Sequence, residues 1–128
     1  MKKFILLLLL IATPCYAKNP ISAKCGEFKG LRIEVNGNKV TETADKISKK
    51  QTFIFSNEDN KIFSDLGDSY ILLNSKNLVG FAVYPQSYIL ITFYPKKEKA
   101  IISKHSDFIN LSDNISAFTL IADCTFTY

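Results

Sequence analysis

Between residues 78 and 104, apolar or aromatic side chains return at every second position: Phe81 and Val83, then Ile89, Ile91 and Phe93, then Ile101. That is the period of a β-strand, whose side chains leave the pleated backbone on alternate faces. Two links interrupt it, Pro85-Gln86-Ser87 and Pro95-Lys96-Lys97-Glu98. Each proline removes a ladder donor and fixes φ, which suits a strand end. The pattern predicts three strands joined by two hairpins.

The same alternation recurs upstream in Leu31, Ile33 and Val35, broken by Gly30, which marks a bulge or a close approach of backbones. Asn36-Gly37 then predicts a tight hairpin turn of type I′. The return run, residues 39–42, is short and polar, as on a sheet edge. Residues 43–50 read as one or two helical turns with Thr43 as N-cap. Residues 51–56 form a strand with Phe53 and Phe55 on one face. Turns at 57–60 and 65–68 bracket a short return over 61–64, and 70–74 begins another strand. Residues 106–116 read as a long loop and 117–126 as the closing strand. About eight short, evenly spaced strands predict an all-β fold, an antiparallel β-barrel or sandwich.

The chain opens with Lys2 and Lys3, an apolar run from Phe4 to Ala12, and Thr13-Pro14-Cys15-Tyr16-Ala17. A charged start, an apolar stretch too short to span a bilayer and small residues at −3 and −1 describe a cleavable signal peptide over 1–17, cut after Ala17. The product, residues 18–128, is a single secreted or periplasmic β domain with no transmembrane segment. Cleavage removes Lys2 and Lys3 and takes the formal net charge from +4 to +2. So weak an excess gives no concentrated basic face, and nucleic acid is not an expected partner. Cys25 and Cys124 remain, one near each end. In an oxidising compartment such a pair is read as a disulfide. It requires the first and last strands to be neighbours, because the two Cα atoms must come within about 7 Å.

Candidate chemistry is thin. One histidine and a self-paired cysteine pair do not make a zinc site, and Glu58, Asp59, Asp65 and Asp68 lack the spacing of a calcium loop. No metal or cofactor is expected. Ser103, His105 and Asp107 would share one strand face, but neighbours on a face lie too far apart for a triad. His105 is therefore a candidate polar site and not a catalytic one. Tyr84, Tyr88 and Tyr94 flank the two proline links, and with Lys96 and Lys97 they make a candidate binding rim, since tyrosine offers contact area at little entropic cost.

The run ITFYPKKEKAIISKHSDF, followed by a loop and FTLIADC, resembles the tail of small secreted bacterial proteins of uncharacterised function. The resemblance covers the last third and implies a secreted β fold without an assigned activity. Ala122-Asp123 stands where such tails more often carry a glycine. The expected function is a non-enzymatic binding module acting on a protein partner, as an inhibitor or immunity protein would. The alternative is a lipocalin-like carrier of a small apolar ligand inside the barrel.

Overall fold

The computed structural model describes residues 19–106 and 114–128. Among the described residues ten strands run in chain order: β1 Ser22–Cys25, β2 Phe28–Asn36, β3 Lys39–Ile47, β4 Gln51–Ser56, β5 Lys61–Ser64, β6 Ser69–Asn74, β7 Val79–Tyr84, β8 Ser87–Tyr94, β9 Lys99–Ser106 and β10 Asn114–Thr127. One 3-10 turn, Pro95–Lys97, joins β8 to β9. All pairings are antiparallel. β1, β4, β5, β6, β7, β8, β9 and β10 close on themselves as an eight-stranded barrel, and β2 and β3 extend the sheet from β10 as a two-stranded wing. The fold is thus a barrel and not a sandwich.

Barrel and wing meet along the 14-residue β10. Its first half pairs with β2, from Asn114↔Asn36 to Ile121↔Lys29, and its last residues pair with β1, from Cys124↔Cys25 to Thr127↔Ser22. The two registers differ by one residue, so β1 and β2 are one strand carrying a bulge at Gly26-Glu27. The extra residue shifts the alternation: Ala23 and Cys25 point into the barrel before it, and Phe28 after it. Cys25 and Cys124 face each other inside as a disulfide, Cα atoms 4.1 Å apart, and join the first and last strands.

The barrel interior is filled by rings. Phe53 lies 6.5 Å from Phe28, 6.5 Å from Tyr70 and 5.1 Å from Phe93, and Phe93 meets Phe55 at 4.9 Å, mostly edge to face. Ile62, Ile91 and Leu120 complete the core. Small residues stand opposite large ones. A Cβ at Gly80 would come within 2.8 Å of Ile62 and 3.0 Å of Tyr70, so β7 turns Gly80 and Ala82 inward. Phe81 and Val83 consequently lie outside, as does Ile101 on β9, where Ala100 and Ile102 face in. The strand period read from this segment holds, with Phe81, Val83 and Ile101 on the phase outside the barrel.

Three local expectations are corrected. Residues 43–47 are strand, because β3 continues to Ile47 in register with Phe28. The hairpin turn centres on Gly37-Asn38, and only Gly37 has positive φ, at 60°, which is the type II′ pattern in place of type I′. The last strand begins at Asn114, ahead of residue 117; residues 107–113 of the expected loop and the expected signal peptide over 1–17 lie outside the described residues. Gly30 is the close approach that its position suggested: a Cβ there would sit 2.1 Å from the Thr119 carbonyl oxygen.

Candidate functional site

The two faces of the wing and of the strands beside it differ in chemistry. On the face continuous with the barrel interior, Arg32 donates from Nε to Asp45 Oδ2 at 2.9 Å, and its guanidinium carbon lies 5.4 Å from the centre of the Phe118 ring. Burial alone would raise the Asp45 pKa. The Arg32 hydrogen bond and the Lys46 amide outweigh it and hold the carboxyl below its ordinary range. Polar pairing therefore occupies the inner face of the wing.

The outer face carries many exposed aliphatic side chains among polar ones such as Ser103, His105 and Thr119. Registers across β2, β10, β9, β8 and β7 place Ile33, Ala117, His105, Tyr88 and Val83 in one cross-strand row, and Leu31, Thr119, Ser103, Leu90 and Phe81 in the next. Val40, Val83, Leu31, Ile121, Ile33, Leu90 and Ile115 all remain exposed, at 38 to 66 % of their full surface. Scattered surface aliphatics are ordinary; a continuous sheet face of them marks an interaction surface. The inversion follows from the bulge. With Phe28 inside, Leu31, Ile33 and Val35 must lie outside, while Arg32 and Glu34 take the inner phase. Alternation alone does not say which phase is buried, and the one-residue shift hidden in Gly26-Glu27 decides it. Those outer residues are the part of the surface that the sequence left unassigned.

The expected rim is divided among three places. Tyr84 is at the β7–β8 turn and donates its hydroxyl to Asp68 Oδ1 at 3.2 Å; desolvation and then the Asp68 charge raise its pKa. Tyr88 lies on the outer face, stacked on His105 with ring centres 4.9 Å apart and planes 20° from parallel. Tyr94, Lys96 and Lys97 sit at the far end of β8, where with Leu78, Pro95 and Tyr128 they line an open cleft of about 530 Å³. Six residue steps along β8 separate Tyr94 from Tyr88, roughly 20 Å at strand rise. The five residues therefore do not converge on one ligand.

His105 is an exposed member of the outer face, paired across the strands with Tyr88 and Ala117. Ser103 Oγ lies 3.1 Å from Thr119 Oγ1. Asp107 falls outside the described residues. Three of the four turn acids have structural partners: Asp59 accepts from Ser56, Asp65 from the Thr52 amide and Asp68 from Tyr84. Among the described residues no group of three or more His, Cys, Asp or Glu side chains gathers as a metal would need, and no helix is long and apolar enough to cross a membrane. A second cleft, of about 570 Å³, lies over the buried disulfide and is lined by Lys24, Lys50, Lys97 and Lys99 with Glu98 and Asp123. Lys99 pairs with Asp123 there. Comparison with protein-family models, curated proteins and solved structures finds no match to this chain.

Proposed function

We propose that the protein is a non-enzymatic binding module, exported to the periplasm or beyond by the leader over residues 1–17, that engages a protein partner through the outer face of β2, β10, β9, β8 and β7. The observation that carries this reading is the set of exposed aliphatic side chains on that face, Leu31, Ile33, Ile115, Ile121, Leu90 and Val83, around the Tyr88–His105 stack. Tyrosine is enriched among the residues that carry binding energy at protein interfaces, and the aliphatic side chains around it would exclude water. The disulfide supports export, since such bonds persist in oxidising compartments. Carriage of an apolar ligand inside the barrel draws no support from the packing, because Phe28, Phe53, Phe93 and Ile91 occupy that space.

A photo-crosslinking residue placed at Ile33 tests the reading in the source organism. A discrete protein adduct is expected, together with its loss in Leu31→Asp/Leu90→Asp. Both sites are exposed, so the double variant should melt at the parent temperature. An adduct that survives the two aspartates, or crosslinking only from the cleft at Tyr94, would remove the outer face from consideration.

A further inference from the structure

β3 is the one strand among those described that pairs on a single side. In a hairpin closed by a two-residue turn, the pair flanking the turn is hydrogen-bonded and bonded pairs then alternate. Asn36↔Lys39 flanks the turn here, so Thr41, Thr43 and Asp45 bond inward to β2. Val40, Glu42, Ala44 and Lys46 therefore direct their amides and carbonyls to the open edge. Water solvates such a row in the isolated chain, and an extended strand is the partner whose own groups match it in spacing.

We infer that this edge pairs with the same edge of a second copy of the chain, antiparallel about a two-fold axis through Ala44. Of the registers that keep outward groups opposite outward groups, three set at least three of residues 40, 42, 44 and 46 opposite one another, those centred on Glu42, Thr43 and Ala44. Centring on Glu42 would set that carboxylate against its own copy. Centring on Thr43 places Glu42 opposite Ala44 and Lys46 opposite Val40. Centring on Ala44 alone sets Glu42 of each chain opposite Lys46 of the other, an opposite-charge pair made twice by the symmetry, and leaves a small side chain at the axis. About six backbone hydrogen bonds form among the pairs at 42, 44 and 46. The ends also fit. Beyond residue 50 the edge is taken by Asp65, whose amide donates to the Thr52 carbonyl, and there the second strand has reached its own turn at Gly37-Asn38. Charges on an edge ordinarily keep foreign strands away; the signs here match the strand's own reverse.

This interface uses backbone edge groups and not the outer face, so it stands whether or not that face binds a protein. The pairing joins two outer faces into one surface around a symmetry axis.

Sedimentation across a concentration series and cysteine trapping test it. A reversible dimer is expected, weakened at least about tenfold by Glu42→Lys and restored to within about threefold by Glu42→Lys/Lys46→Glu. Residues facing across the axis in a bonded pair have Cα atoms about 5.5 Å apart, within reach of a disulfide. Ala44→Cys should therefore trap a covalent dimer on mild oxidation, and Glu42→Cys should give at least about tenfold less. A protein that remains monomeric at ~300 μM, trapping from Glu42→Cys in preference to Ala44→Cys, or indifference to Glu42→Lys would each overturn the proposal. So would a monomer whose β3 amides become protected only when an unrelated extended peptide is added.

Discussion

At Gly30 the missing side chain is the structural fact. Its Cβ position is occupied by the Thr119 carbonyl at 2.1 Å, and the atoms in the way are backbone, which cannot swing aside as a side-chain tip would. Gly30→Ala must push β2 off β10 and is expected to destabilise the fold by about 2 kcal/mol or more, read from urea unfolding with the slope unchanged. The sequence marked this glycine because it breaks an aliphatic alternation, and the structure selects close approach over a bulge. The bulge lies four residues earlier, at Gly26-Glu27. Nothing in those two residues states which way Phe28 points; that depends on β10 lying opposite, a contact from the far end of the chain. The same dependence hid the candidate surface, for Leu31 and Ile33 read as core until the phase is known. Tyr84, Tyr88 and Tyr94 looked like neighbours along the chain and are dispersed by the length of β8.

The strands divide by how they are stabilised. β4 and β5 were legible to the residue, because Gln51–Ser56 carries Phe53 and Phe55 on one face and is bounded by turn-forming Asn and Asp. Of β3 only residues 39–42 and their place on an edge were legible. The strand is largely polar and exposed, with Val40, Ala44 and Ile47 too widely spaced to carry its period onward. Its strand geometry is imposed by hydrogen bonds to β2, over a stretch that local propensity would also allow to coil as a helix. Phe28 is the one fully buried side chain of the wing. The wing should accordingly open locally at far lower cost than the barrel. Hydrogen exchange of the dilute protein should show Thr41 and Thr43 exchanging well ahead of Ile91 and Phe93 in β8, with Glu42 and Ala44 fastest of all. Equal protection of β3 and β8 amides would mean that the wing and the barrel unfold as one unit.

Across the whole molecule, the disulfide fixes a contact 99 residues long in sequence between strands that are already paired. Chain-entropy reasoning assigns a loop of that length up to about 4.7 kcal/mol of stabilisation, acting on the unfolded chain. Cys25→Ala/Cys124→Ala should keep the native strand signature in circular dichroism and lose about 2 to 5 kcal/mol in denaturant titration. Loss of the strand signature would instead show that the bridge is needed to close the barrel. From the cysteines one could read that the first and last strands meet, which allowed either a barrel or a sandwich. Closure was decided by β1 pairing with β4 on one side and β10 on the other, a choice made by tertiary geometry.

The position of β10 has a consequence for how the chain reaches its destination. The strand that seals the barrel and anchors the wing is the last of the ten to leave the ribosome. Hairpins made earlier can flicker into being, yet none has a finished hydrophobic interior to hold it, since Leu120, Ala122 and Cys124 are still missing. A polypeptide so arranged stays pliable throughout synthesis and becomes rigid only when its tail is complete, which would suit the export proposed above.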